Sequence, residues 1–180
     1  MDFLECVANR RSIRKYKPDP IGDDLIEKIV SAAAYAPSWK NTQTTRYIVI
    51  KDKELIKYFA DFCTAGFEHN EGILRAAPAV VIVTTITNRS GFERDGSFST
   101  NKGTHWESFD AGIATQTLCL AAFNEGLGSV ILGIYDEEKI LERVKVPEGQ
   151  KISALVVIGF PDETPEMPKR KTTDDLLNII

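Results

Sequence analysis

Asn9-Arg10-Arg11-Ser12-Ile13-Arg14-Lys15-Tyr16 gathers four cations and a hydroxyl into eight residues of a chain whose formal net charge is −4. A guanidinium is a planar fork of donors matched to phosphate or carboxylate oxygens, and the serine adds another donor, so the stretch reads as the holder of an anion. Arg10, Arg11 and Arg14 are spaced so that no regular element points all three one way, which predicts a turn. A solvated basic face is the plain alternative for any short basic run. Just upstream, Phe3, Leu4 and Val7 recur at helical spacing and predict a short helix over residues 2–9 that delivers the arginines.

Downstream, Pro18 and Pro20 stop any continuation, and Gly22-Asp23-Asp24 opens a second helix with the apolar stripe Leu25, Ile26, Ile29, Val30 and Ala33. The polar loop Ala36-Pro37-Ser38-Trp39-Lys40-Asn41-Thr42-Gln43 then leads into Tyr47-Ile48-Val49-Ile50, a buried strand. A loop feeding a central strand is a common place for a ligand. Residues 53–63 and 68–76 are helical in pattern, and the β-branched run Ala79 to Thr85 predicts a strand covered on both faces. Residues 88–104, with Gly91, Gly96 and Gly103, predict a long loop or lid. The stretch from Trp106 to Asn124 is helical and carries no charge from Ala111 to Phe123, the mark of a helix buried all round. Its small residues permit close approach to a second helix, in this chain or in a partner. Further strands are expected over 129–134 and 152–160, with a short helix over 136–144 between them. Strands alternating with helices imply a layered α/β domain. The tail carries the basic cluster Lys169-Arg170-Lys171 and an apolar end from Leu176 to Ile180, which is expected to pack against something.

With 180 residues, 43% hydrophobic and 27% charged, the chain suits one globular domain over 1–180 with a substantial core. Its acidic balance argues against a general nucleic-acid binder. Cys6, Cys63 and Cys119 form neither a disulfide framework nor a zinc motif. No signal peptide and no stretch of membrane-spanning length is present, so the expected location is cytoplasmic.

Gly126-Leu127-Gly128 precedes a strand instead of joining a strand to a helix, which excludes dinucleotide and phosphate-loop fingerprints. His69 and His105 lack the spacing of metal ligands or of a catalytic triad, so no metal is expected. The cysteines sit in helical patterns where they act as small hydrophobes. Without an acid–base constellation, the chemistry falls to a bound cofactor, with the protein supplying anchoring and electrostatics.

The order of Arg10-Arg11-Ser12-Ile13-Arg14-Lys15-Tyr16, Ala36 to Gln43, Gly126-Leu127-Gly128-Ser129 and the late Lys169-Arg170 resembles the FMN-dependent nitroreductase family. Together these motifs span nearly the whole chain. The resemblance implies an α+β fold, a three-layer α/β/α sandwich around a mixed central sheet. It also implies a homodimer with FMN at the subunit interface. Arg10, Arg11, Ser12 and Arg170, with Lys169, would grip the FMN phosphate. Arg14 would face the flavin pyrimidine edge, where a fixed cation stabilises the negative charge that gathers on reduction. Pro37, Ser38, Trp39 and Asn41 would reach the ribityl chain or ring, often across the interface. Leu132 and Gly133 would turn backbone N–H groups to flavin N5 and O4.

The implied activity is transfer of electrons from NAD(P)H through FMN to a small-molecule acceptor such as a nitroaromatic or quinone, by a ping-pong mechanism. An FMN carrier or sensor with little turnover is the alternative, and an anion-binding domain without flavin is a third reading. Two departures bear on substrate choice. Gln43-Thr44-Thr45-Arg46 stands where many relatives have Gln-Pro-Trp, and Trp39 stands where they have a small residue. Trp39 is expected either to narrow the pocket over the flavin or to pack in the interface.

Overall fold

The computed structural model describes residues 2–180. In chain order the elements are α1 (Phe3–Asn9), α2 (Asp23–Ala33), β1 (Thr45–Ile50), α3 (Lys53–Phe62), α4 (Glu68–Arg75) and β2 (Ala79–Ile86). There follow α5 (His105–Asn124), β3 (Gly128–Leu132), α6 (Glu137–Leu141), β4 (Gln150–Gly159) and a last turn, α7 (Thr173–Leu176). Aspartates start several helices as the sequence leads one to expect. The Asp2 carboxylate accepts the amides of Leu4 and Glu5, Asp52 that of Leu55, and Asp136 that of Lys139. Each satisfies amides that a helix start leaves without a partner.

The sheet order is β1-β2-β4-β3 and every neighbouring pair is antiparallel. Alternating strands and helices suggest parallel pairing, and the connections show why it does not occur. Between β1 and β2 the chain runs through two helices, α3 and α4, which carry it out and back, so β2 starts at the end where β1 finished. Between β3 and β4 lies only α6, whose five residues span about 7.5 Å. Too short to run the length of the sheet, it leaves β4 to return antiparallel. Only α5, with 20 residues, is a true crossover, and the strand it delivers is separated from β2 by β4. The fold is therefore α+β, and its mixed character comes from a single parallel bridge, Ser12 to Ser129.

Strand alternation divides the core in two. Val80 and Ile82 of β2, with Leu155 and Val157 of β4, face one layer with Ile56, Phe59, Ile73, Leu74 and Ile140. Ala79, Val81 and Val83, with Val156 and Ile158, face Ile26, Ile29, Leu118, Cys119 and Ala122 on α2 and α5. β2 is buried along nearly its whole length, as its β-branched run requires.

The uncharged part of α5 departs from the expectation of burial all round. Ala111, Ala114, Thr115, Leu118, Cys119 and Ala122 are buried, whereas Phe109, Gly112 and Gln116 are exposed and Ile113, Leu120 and Phe123 half-buried. A sheet covers only one side of a helix, so the same apolar sequence leaves its other side bare within one chain. The tail is also uncovered, since Met167, Leu176, Leu177, Ile179 and Ile180 are all exposed. No described helix is long and apolar enough to cross a membrane.

Two features of the core give measurable consequences. A Cβ on Gly128 would lie 2.7 Å from Cβ and Cγ1 of the buried Ile13, closer than carbon atoms approach. Gly128→Ala is therefore expected to lower unfolding free energy by about 1–3 kcal/mol, the usual range for overpacking, as read from urea denaturation. Burial also lifts the phenols of Tyr16 and Tyr47, the first well above its ordinary value with Glu163 adding to the shift, the second to about 12. The unfolded chain releases these protons near pH 10, while the fold retains them. Their contribution is thus complete below pH 10 and declines as pH rises toward 12. Urea midpoints at pH 9, 10 and 11 are expected to fall in that order, and Tyr47→Phe to flatten the decline.

Candidate functional site

The basic segment leaves α1 and is laid along the start of β3. Ser12 bridges Ser129 in parallel fashion, and the Ile13 amide donates to the Ser129 carbonyl at 3.0 Å. Ile13 and Tyr16 are buried, and the Tyr16 hydroxyl donates to the Ile13 carbonyl. Glu163, from the stretch after β4, accepts the backbone amides of Arg14 and Lys15 at 2.5 and 3.2 Å. The main chain of the segment is thereby fixed from two sides, while its cationic side chains point away from the core.

Those cations are unneutralised. Among the described residues, Arg10, Arg11 and Arg14 form no ion pair with a carboxylate, although the chain carries 26 acidic residues. Arg11 is partly committed, since its Nη1 donates to the carbonyls of Ala8 and Arg10 at 2.7 and 2.9 Å. That places a cation on the carbonyl end of α1, where the helix dipole favours it. Among the described residues Arg10 makes no side-chain hydrogen bond, and it sits half-buried, close enough to Cys119 of α5 for its charge to act on that thiol. There, burial pushes the Cys119 thiol up, with the Ser129 hydroxyl and the Arg10 charge acting the other way. Burial likewise pushes the Cys63 thiol up to about 11, so both are poor nucleophiles at neutral pH.

At the far end of β3, Leu132 is buried and Gly133 exposed, and a Cβ built on Gly133 meets nothing within 4 Å. The chain's own packing does not demand glycine here, so the open space suits an external group lying against the backbone. Asn70, a residue that sequence reasoning passed over, steadies this end. It is buried on α4, and its Nδ2 donates to the Ile134 carbonyl at 2.9 Å. No motif marked it; a buried polar residue on an otherwise amphipathic helix was its one signal.

The loop from Pro37 to Gln43 lies elsewhere, against the first half of α5. The Trp39 amide donates to both oxygens of Asp110, at 3.1 and 3.0 Å, and the Ser90 hydroxyl donates to the same carboxylate at 2.6 Å. Cys6 of α1, by contrast, bonds the Leu120 carbonyl. Ten residues of helix separate these anchor points, about 15 Å along the axis. Among the described residues no hydrogen bond joins the loop to the Arg10 segment. Nor does any hydrogen bond or ion pair hold the exposed Lys169 and Arg170.

The loop is strained. Lys40, Asn41 and Gln43 have φ of +44°, +55° and +47°, left-handed values that cost non-glycine residues about 1–3 kcal/mol each. Ser38 Oγ accepts the Gln43 amide at 2.9 Å and Lys40 pairs with Glu93 at 3.0 Å. Trp39 packs on Trp106 with ring centroids 4.6 Å apart. From the sequence, Trp39 is expected to narrow a flavin pocket or to pack in a subunit interface; within this chain it packs on Trp106. Its Nε1, like Oγ1 of Thr42 and Thr44, is buried without a hydrogen-bond partner. Beside the loop, a cavity of about 360 Å³ is walled by Val30, Ala33 and Tyr47 with Thr44, Arg46 and Asp110.

Comparisons with known proteins bear on the fold and the family. A sequence profile described as the nitroreductase family matches residues 7–72 and 67–160. An Archaeoglobus fulgidus protein named "Putative NADH dehydrogenase/NAD(P)H nitroreductase" is 32% identical over 166 residues, 90% of this chain and 87% of that one. A Bacillus subtilis protein named FMN reductase (NAD(P)H) is 28% identical over 178 residues, covering 93% of this chain and 70% of its own. A Desulfovibrio desulfuricans protein solved in complex with FMN superposes with a TM-score of 0.77 at 25% identity, over 98% of this chain and 96% of that one.

Proposed function

This chain belongs to the nitroreductase family, and on that premise we propose that it is an FMN-dependent oxidoreductase that passes electrons from NAD(P)H to a nitroaromatic, a quinone or a similar acceptor. The observation that carries the proposal is the set of guanidiniums at Arg10, Arg11 and Arg14, none paired with a carboxylate, flanking Ser12 at one end of β3, with open space beside Gly133 at the other. Arg10 and Arg11 are half-buried and, among the described residues, pair with no carboxylate, and cations so placed in an acidic protein are costly to keep without a resident anion. A phosphate monoester is a dianion that two forks and a hydroxyl can hold together.

Arg10 and Ser12 would take most of that phosphate, with Arg11 contributing the donors that Ala8 and Arg10 leave free. Arg14 would set its charge beside the ring's pyrimidine edge, and Leu132 and Gly133 would offer backbone amides at the other edge. FMN supplies the capacity to accept electrons from NAD(P)H and release them to an acceptor in alternation, which is the basis of the ping-pong assignment. The chain's part is to bind, orient and polarise.

A homodimer follows from the bare side of α5. Phe109, Gly112, Ile113, Gln116, Leu120 and Phe123 recur every three or four residues, and α1 adds the exposed Phe3, Leu4 and Val7. A contiguous apolar face of this kind marks an interface. Since the 37–43 loop sits about 15 Å along α5 from the Arg10 end, Pro37, Ser38, Trp39 and Asn41 would reach the flavin held by the second subunit. Lys169 and Arg170, on a tail with nothing to cover it in its own chain, would close on a phosphate in the assembled dimer.

The protein is expected to purify yellow, to release FMN and not FAD on heating, and to run as a dimer in light scattering at micromolar concentration. Arg10→Ala is expected to weaken FMN retention by about 1.5–3 kcal/mol, roughly 10- to 150-fold in Kd, with little change in the thermal midpoint of the apoprotein. A colourless protein that takes up no FMN, or a monomer with FMN bound, would overturn the reading. Failure of NADH and NADPH to bleach bound FMN in stopped flow would favour the carrier or sensor instead.

A further inference from the structure

We propose that Asp110 is the positioning residue of the acceptor pocket, holding the 38–43 loop in the one shape that walls it; this rests on the flavin reading above. Asp110 is 3% exposed and lies on the sheet side of α5, and its oxygens are used by two loops at once. The Trp39 amide reaches both of them and the Ser90 hydroxyl reaches Oδ2. Ser90, itself fully buried, lies in the 88–104 loop, which returns to the same place through the Lys40–Glu93 pair, and Trp106 just beyond it on α5 makes a tilted contact with Trp39.

The strain in the loop shows what these ties are for. Lys40, Asn41 and Gln43 are held with left-handed φ although all three are exposed. Non-glycine residues stay in that region only where their surroundings over-determine them. Exposed side chains give nothing to the chain's own core, so a shape enforced this firmly serves a surface presented outward. That surface includes Pro37 and Asn41, which the proposed dimer turns toward the neighbouring flavin. A buried carboxylate receiving an amide and a hydroxyl, with no cation bonded to it, is the strongest of the ties and the one furthest from solvent. Lys40–Glu93, at the surface, is screened and weak by comparison.

The chain contains only two tryptophans, Trp39 and Trp106, and they are in contact. Their coupled signal in near-ultraviolet circular dichroism therefore reports loop position without reference to activity. The experiment compares Asp110→Asn, Asp110→Ala and Ser90→Ala with the parent holoenzyme, using p-benzoquinone as acceptor. Asp110→Ala is expected to remove more than about half of the tryptophan signal and raise the KM for quinone about 5- to 20-fold, with kcat within about 2-fold. Asp110→Asn keeps one oxygen for the Trp39 amide and should fall between Asp110→Ala and the parent, with Ser90→Ala milder still. FMN retention is expected to fall much less than in Arg10→Ala, since the phosphate anchors at the Arg10 end of α5 are untouched and only the loop's own contacts to the flavin are loosened.

Loss of the tryptophan signal with an unchanged quinone KM would overturn the proposal while leaving the flavin assignment standing. An unchanged signal in Asp110→Asn and Ser90→Ala would overturn it equally, and these two variants decide the matter if Asp110→Ala fails to fold. Failure of the flavin reading itself would show in the parent protein, which would bind no FMN, and the proposal would fall with it.

Discussion

The cofactor site proposed above depends on a short backbone contact, the pairing of Ser12 with Ser129. It is a single bridge with one amide-to-carbonyl bond, from Ile13, yet it converts a flexible basic run into a rigid edge of the sheet. Gly128 is its precondition, because any Cβ there would drive Ile13 away from the strand. Ile13 and Tyr16 then lock the segment into the core from below, and Glu163 pins its amides from the tail side. The segment's ordering entropy is thus offset by apolar burial and main-chain hydrogen bonds. Among the described residues Arg11 and Arg14 each spend one guanidinium nitrogen on nearby carbonyls and no carboxylate pairs with the cluster, and a cationic cluster that had to organise itself on binding would lose much of its affinity to that ordering.

Helix α5 does for the opposite end of the molecule what the bridge does for this one. Its buried side carries two carboxylates, each satisfied differently. Glu107, in the first turn, pairs with Lys151 at 2.6 Å and accepts the Asn88 amide at 2.7 Å, closing the helix start onto β4. Asp110, one turn on, uses neutral donors only and spends them on two loops. Buried charges need such partners, and removal of one partner costs more than the pair contributes. The outer side of α5 carries no such commitment and remains apolar, which leaves it free to meet a second copy.

Much of this was legible in the sequence. The β-branched run at 79–85 read as a doubly covered strand, which β2 is, and Gly22-Asp23-Asp24 marked the start of α2. Strand direction was not legible, because it depends on whether one or two helices fit between strands and on how long α6 turned out to be. The bare side of α5 escaped for a related reason. Apolar residues all around a helix say that it avoids water, without saying whether its own chain or another one covers it. Trp39 was ambiguous because its neighbour, Trp106, lies 67 positions away and no local pattern links them. The left-handed residues Lys40, Asn41 and Gln43 gave no warning either, since only glycine advertises that backbone conformation in a sequence. Asn70 was passed over because its partner is a backbone carbonyl, which every residue has.

The division of labour between the two ends of α5 bears on how such a scaffold can change its substrates. The proposed cofactor anchor rests on main-chain geometry, and substitutions at Ser12, Gly128 or Ile13 would be felt at once in the core. The 38–43 loop rests instead on one carboxylate, an aromatic contact and a surface ion pair, all reaching it from residues 90–110. Residues at its exposed positions can vary without loss of packing, provided that Asp110 keeps the backbone in place. Trp39 fits this logic, since Trp106 accommodates its indole from the adjoining helix start. Changes in the loop and in residues 88–106 are therefore coupled in this chain, and the acceptor pocket proposed above would take its shape from both segments.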